Sequence, residues 1–325
     1  MKARTFHKLL LQVDRLNSDQ FRRLKESLQS IELSNKVAAN IETPFQELSC
    51  PHCKSQKKQR WGKRSGLQRY RCKECKRTYN SLTNTPLSRL RKKEQWLEYS
   101  SCLVSGISVR KAAMKCNVHR NTSFRWRHRF LANAKSVAPE KLSGIIEADE
   151  TYFLKSEKGN KKLNRKPRKR GGKASQRGLS KEQVCVLVCR DRQANTIDHI
   201  FENFTGNNLK DYLKDKVSSD ILFCSDGKST YKKFIKEKGY RHGCLNLSKG
   251  IRIIKDIVHI QNVNAYHSRL KEWLYRFHGV ATKYLENYLS WFRELDEFAS
   301  DIRPEILLLR GKKASLYKVQ PFTVT

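Results

Sequence analysis

The chain is short of acid. Its 325 residues hold 31 Asp and Glu against 68 Lys and Arg, a formal charge of +37. That deficit excludes a charge-balanced surface and selects polyanions as partners, because Lys and Arg bound to phosphate release condensed counterions. Nucleic acid is the expected partner, and a membrane surface is the weaker competitor. Long apolar runs are missing as well: the longest fall far below the ~20 residues of a membrane span. The start, Met-Lys-Ala-Arg, leads only into Leu9-Leu10-Leu11, too short for a signal-peptide core. The expected location is the cytoplasm, at the nucleoid of a bacterium, or the nucleus of a eukaryote. Without a secretion signal, ten cysteines read as thiols or metal ligands rather than disulfides.

The scarce carboxylates are not scattered at random. Glu-Ala-Asp149-Glu follows Ser-Gly-Ile-Ile, and Ser-Asp226-Gly follows Ile-Leu-Phe-Cys. An acid at the end of an apolar strand is costly to hold unless it has work, and the usual work is metal binding. Each has a plainer reading: Asp226-Gly as a turn, Asp149 as a buried hydrogen-bonded acid.

No internal repeat is present. Residues 1–45 read as a helical lead-in, with Ser18 as a candidate cap for a run carrying Phe21, Leu24 and Leu28. Residues 46–85 form a compact Cys- and Lys/Arg-rich module, and 86–140 are helical. From 141 to 300 apolar strands are followed by helices, an α+β or α/β core, with 301–325 as a tail. The core is interrupted at 155–177 by eleven Lys or Arg with one Glu. That stretch reads as a loop suited to phosphates, through Lys166, Arg168, Lys169 and Arg170, or merely as a solubilising one.

Cys50-Pro-His-Cys53 and Cys72-Lys-Glu-Cys75 are separated by 18 residues. Two such knuckles supply four thiolates in tetrahedral array, a closed structural zinc site. About forty residues cannot fold on apolar burial alone, so the metal would hold the module, a zinc ribbon. Lys57, Lys58, Arg60, Trp61, Lys63, Arg64, Arg69 and Arg71 around it suit a DNA-facing surface. Cys185 and Cys189 share one face of a buried strand and read as packing.

Residues 108–130 have helix-turn-helix proportions. Ala112 and Ala113 would point inward, Asn117 would turn, and the second helix would bury Phe124, Trp126 and Phe130. Arg120, Arg125, Arg127 and Arg129 would be left for phosphates or base edges. An ordinary basic helical pair is the plainer alternative.

Past residue 258, Tyr266, Leu270, Trp273, Leu274 and Phe277 form one apolar helical stripe, while Asn264, His267, Ser268 and Lys271 share a polar face. Asn264 can also be read as a helix cap. Following two strand-end aspartates, the polar set suits a two-metal phosphoryl-transfer site: Asp149 and Asp226 supply carboxylates, Asn264 a carboxamide oxygen, and Lys271 a hold on the DNA backbone.

The order Asp, Asp, Asn with a Lys seven residues on resembles the DDE-type insertion-sequence transposases. More narrowly, the zinc ribbon, His267-Ser-Arg-Leu-Lys271 and the run from Phe277 to Phe292 resemble the zinc-ribbon group related to Merlin elements (ISXO-type). The resemblance covers about Cys50 to Phe292. It implies an RNase H-like core, metal-dependent cutting of element ends with two Mg2+ or Mn2+ ions, and joining of the 3′-hydroxyl to target DNA. It also implies recognition of terminal inverted repeats and a homo-oligomer in the synaptic complex. Asp149, Asp226 and Asn264 take the metal-binding places and Lys271 the trailing basic place. Asn264 departs from Glu by one negative charge, which lowers metal affinity; His267 or Glu147 are candidates to assist, and Glu150 is expected to be structural. Two rivals are a regulator that binds DNA but has lost the chemistry, and a recombinase with a covalent tyrosine. The second lacks an Arg-His-Arg-Tyr constellation.

Overall fold

The computed structural model describes residues 3–42, 49–64, 66–132, 139, 141–160, 162–163, 166, 172, 174–175, 180–246, 249–298 and 304. The chain divides into two units, one drawn mainly from residues up to Ser105 together with Arg110–Ser123, the other mainly from Gly106–Val109 and Phe124–Ile302.

The first unit begins with helices α1 (Ala3–Val13) and α2 (Ser18–Glu42). Asn17, not Ser18, caps α2: its side-chain oxygen accepts from the Gln20 N–H at 2.9 Å, and Gln20 returns a bond to the Asn17 N–H at 3.0 Å. This reciprocal capping box moves the helix start by one residue. The expected apolar run is not buried either. Phe21 and Leu28 are exposed, and α2 instead buries Val37, Ala38 and Ile41 near its C-terminal end. A small antiparallel sheet follows, β1 (Lys58–Arg64), β2 (Leu67–Cys72) and β3 (Thr78–Tyr79), in the order β1-β2-β3. Helices α3 (Trp96–Val104) and α4 (Val109–Lys115) come next. Ala112 and Ala113 face inward and Asn117 turns the chain at φ +46°, as the sequence predicts.

Helix α5 (Arg120–Phe130) departs from expectation. Its buried stripe is Ser123, Trp126, Arg127 and Phe130, while Phe124 is exposed. Those four positions follow 3.6-residue periodicity, and Phe124 lies one residue off it. Arg127 falls on the buried side as a result.

The second unit is built on a five-stranded mixed sheet in the order β6-β5-β4-β7-β8, an α+β arrangement. Its strands are β4 (Leu142–Leu154), β5 (Gln183–Asp191), β6 (Thr196–Phe201), β7 (Val217–Ser225) and β8 (Arg241–Cys244). β4-β5 and β5-β6 pair antiparallel, whereas β4-β7 and β7-β8 pair in parallel. One sheet face, with Ile146, Ala148, Cys185, Cys189, Ile221 and Phe223, packs on α6 (Gly206–Leu213) and α7 (Ser229–Lys238). The other face carries α8 (Gln261–Tyr275), whose predicted stripe of Tyr266, Leu270, Trp273 and Leu274 is buried. Helix α9 (Thr282–Phe298) closes an aromatic cluster in which Trp273 meets Trp291 edge-on at 4.8 Å and Phe277 meets Tyr288 at 5.0 Å.

Candidate active site and cysteine metal centre

Register brings the two aspartates together. β4 and β7 run parallel with Ile145 opposite Leu222 and Glu147 opposite Cys224. Side chains repeat every two residues, so continuing each strand by one step leads to Asp149 on β4 and to Asp226 just past the end of β7, near enough for the Asp226 charge to act on Asp149. Gly227 follows at φ +77°, and a Cβ there would sit 2.6 Å from the Cys244 sulfur, so the turn requires glycine. Asp226 Oδ1 accepts the Lys228 N–H at 3.2 Å, which turns its carboxylate back toward the strand end.

Lys228 is a member of this site that the sequence reading passed over. Its ammonium lies 3.4 Å from Asp226 Oδ2 and pairs with the buried Glu150 carboxylate. Asp149 is pushed up to about 6, first by burial, then by the negative charge of Glu150 and, further down, of Asp226, with Lys228 opposing. Three acids and one ammonium leave a charge that a cation can neutralise. Among the described residues, Oε1 of Glu150 and Nε2 of His267 are buried without a hydrogen-bond partner. The set is net negative, but no three of its His, Asp and Glu donor atoms converge as the four cysteine sulfurs do.

Helix α8 brings the third component. His267 Nδ1 is 3.7 Å from Asp149 Oδ2. Burial, with Lys271 adding, pushes the imidazole down to about 4, so at neutral pH it faces Asp149 as a neutral ring. Asn264 lies three residues before His267 and Lys271 four after, on the same helical face and exposed to solvent.

The start of α8 is fixed by Glu147. Glu147 Oε2 accepts the N–H groups of Asn262 at 2.8 Å and Val263 at 3.1 Å, and Oε1 accepts from Asn262 Nδ2 at 2.8 Å. Arg192 Nη1 is 2.6 Å from Oε1, with the His259 ring at 3.3 Å. Glu147, an expected assistant at the metals, thus has both oxygens committed to capping a helix from outside it. Asn264 does not start α8 and does not cap it. A buried carboxylate at a helix N-terminus satisfies orphan N–H groups and complements the dipole.

The four cysteines form the second centre. Their sulfurs all lie within 4.8 Å of one another, with Cys50–Cys75 and Cys53–Cys72 at 3.6 Å. Cys72 is lowered to about 7: burial opposes the thiolate, but N–H groups of Cys75 and Glu74 and the thiols of Cys53 and Cys75 outweigh it. Cys75 is raised to about 11; the Arg77 N–H favours its thiolate, and burial and the other three thiols together oppose it. Four sulfurs this close cannot all ionise without a cation, which fits a tetrahedral metal. Among the described residues no other group of His, Cys, Asp and Glu donors converges so tightly.

Of the arginines assigned to DNA, Arg120, Arg125 and Arg129 are exposed. Arg127 is corrected: it is fully buried, donates to the Ile107 carbonyl at 2.6 Å and lies over the Trp291 ring at 4.9 Å. It has no route to a phosphate. Lys166 is exposed, while Arg168, Lys169 and Arg170 lie outside the described residues, as does the tail beyond Pro304. On β1 and β2, Arg71 stacks over the half-exposed Trp61 at 4.8 Å. No helix among the described residues is long and apolar enough to cross a membrane.

Residues 141–293 match the model of the ISXO2-like transposase domain. The chain is also 26% identical, over 290 residues, to an uncharacterised protein in transposable element ISH50 of Halobacterium salinarum, covering 87% of this chain and 95% of that one. The family match spans β4 to α9, the same segment that carries Asp149, Asp226 and α8.

Proposed function

We propose that this chain, which belongs to the insertion-sequence transposases through its ISXO2-like domain, cuts DNA at the ends of its element and joins the freed 3′-hydroxyl to target DNA. The observation that supports the reading is the parallel pairing of β4 with β7, Glu147 opposite Cys224, with Asp149 two residues further along β4 and Asp226 just past the end of β7. The strand order, with two antiparallel and two parallel pairings in one mixed sheet, is the kind of scaffold an RNase H-like core uses. Asp149, Asp226 and Asn264 are the proposed ligands of two Mg2+ or Mn2+ ions, and Lys271 the contact to the DNA backbone.

Bound divalent ions would supply the Lewis acidity that activates water and stabilises charge at phosphorus. The protein's own part is to hold oxygens and exclude alternatives. Asp149 must be ionised to bind, and its raised pKa keeps a proton competing for that place. His267, neutral and buried against Asp149, can accept a proton or steady the carboxylate without adding positive charge. Lys228 holds Asp226 and Glu150 apart from mutual repulsion. No protein nucleophile is required.

The helix-turn-helix and the ribbon, with structural zinc at Cys50, Cys53, Cys72 and Cys75, are the proposed DNA-recognition modules, using Arg120, Arg125 and Arg129 and the Trp61–Arg71 surface. The partners are the element's terminal repeats, target DNA and further copies of the chain at the nucleoid. Cleavage of a duplex spanning the element–flank junction, with Mg2+ or Mn2+, tests the reading. Asp149→Ala and Asp226→Ala should bind that duplex normally and cut it at least about a thousandfold more slowly. Full cutting by either variant rejects the site; binding without cutting by the native chain makes it a regulator. For Asn264, identical Mg2+ titrations of the Asp, Glu and Ala variants would dismiss it as a ligand.

A further inference from the structure

Between β8 and α8 the chain carries an apolar edge that the chemistry above does not use. Ile251, Ile253, Ile254 and Ile257 are 41, 44, 36 and 52% exposed, with Lys249, Arg252 and Lys255 interleaved and Asp256 as the one acid. β-Branched aliphatics are among the residues most often buried, and an exposed cluster of them marks a contact surface.

The edge is built rather than loose. Ile254 and Val258 exchange both backbone hydrogen bonds at 3.0 Å, and between them Lys255 and Asp256 take φ +48° and +55°. Two successive left-handed residues lie in the three-residue turn that this pair encloses, here without glycine, a strained choice that its surroundings must hold. The base is pinned. Val258 packs with Cys224, Leu245 and Ile260, and a Cβ on Gly243 would come within 2.5 Å of it. Arg192, which grips Glu147, also donates to the Ile257 carbonyl at 2.7 Å. The hairpin therefore stands on the same clamp that orients α8.

We propose that this hairpin is a wedge that inserts isoleucine side chains into the base stack of DNA beside the phosphate to be cut; the proposal rests on the transposase reading. Apolar side chains that enter a base step unstack it, and flanking cations hold the adjacent phosphates. Three bases against one acid favour a polyanion over another copy of this strongly cationic chain. A stable protein interface needs roughly 800 Å2 on each partner, more than a ridge of four side chains offers.

The test uses the full-length Asp149→Ala chain with a duplex spanning the element–flank junction, 2-aminopurine being stepped through it. Binding should raise fluorescence at one or two adjacent positions. Changing Ile253, Ile254 and Ile257 together to Ser should abolish the rise, while affinity by anisotropy shifts by less than about threefold. With Asp149 intact, the same Ser changes should slow cutting of paired DNA and spare a duplex already unpaired at the reporting position. These residues are exposed, and an unchanged circular dichroism spectrum confirms that the fold survives. The proposal is overturned by a flat 2-aminopurine profile, by a rise indifferent to the Ser changes, or by a Ser variant that loses self-association in sedimentation instead. Cutting by the native chain is scored separately, so the wedge can fail while the transposase reading stands.

Discussion

The cysteine centre and the carboxylate centre solve opposite problems. In the first, four sulfurs converge within 4.8 Å of one another, close enough to repel as thiolates. In the second, the acids come from β4 and from the end of β7, α8 supplies the remaining side chains, and an ammonium from Lys228 already stands among the carboxylates. One site has all four sulfurs delivered by local turns and would be complete with a single bound metal. The other is assembled by long-range packing, and its charges are kept in suspense by a resident cation and a proton. A structural metal is held for good; a catalytic one shares its place with protons and substrate.

The largest effect that contrast predicts is on the ribbon. Cys50→Ser or Cys72→Ser, or chelation, removes a metal whose apparent binding energy in such modules is about 10 kcal/mol or more. Zinc content should fall from one ion per chain to none, residues around β1–β3 should become susceptible to limited proteolysis, and DNA affinity should drop. A ribbon that resists protease without metal would erase the distinction between the two centres.

Second in size is the Glu147 clamp. Glu147→Ala would leave the Arg192 charge and the α8 N–H groups without their acceptor, at a cost of about 3–5 kcal/mol. Urea unfolding measures it. Glu147→Gln keeps the volume and one acceptor, and should cost less than half as much while still loosening divalent-ion binding. Equal stability for native and Ala chains would show that α8 is positioned without it.

How much of this was legible in sequence follows the same divide. The Cys-x-x-Cys knuckles are written in consecutive residues. Asp149 and Asp226 could be picked out because each ends an apolar strand, and the amphipathic stripe of α8 could be read from its period. The clamp could not, because the acid that caps α8 lies 115 residues before the Asn262 N–H it accepts. Lys228 was hidden by its ordinariness among 68 basic residues. Arg127 was misassigned because polarity suggested solvent, whereas the period of α5 placed it beside Trp126 and Phe130 on the buried side. The roles given to Asn264 and Lys271 rest on resemblance and on their shared face with His267.

A third prediction concerns the proton. Asp149 is ionised only above about 6. A cation that binds it must displace a proton below that pH, so Mn2+ affinity should fall about tenfold per pH unit below 6 and level off above it. Isothermal titration across that range reads the slope. The cysteine centre offers a control in the same chain, since removing the acid should leave its metal in place. A carboxylate site whose affinity is flat from pH 5 to 8, a range chosen to bracket the ordinary titration of such a group, would mean Asp149 is not a ligand.

The smallest effect is the most discriminating, because it concerns the cation already present. Lys228 neutralises Glu150 and Asp226 at the cost of competing with whatever divalent ion approaches them. Lys228→Met should therefore do two things of opposite sign. Without metal it destabilises the chain, because the buried Glu150 charge loses its partner. With Mn2+ it should bind the ion more tightly, by about 1 kcal/mol if the pair behaves as a half-exposed one, and the metal should recover much of the lost stability. Thermal melts of both chains with and without Mn2+ measure the two effects together. If Lys228 were only a structural counterion remote from the metal, the Met variant would melt lower by the same amount in either buffer, and the resident-cation contrast with the cysteine centre would fall.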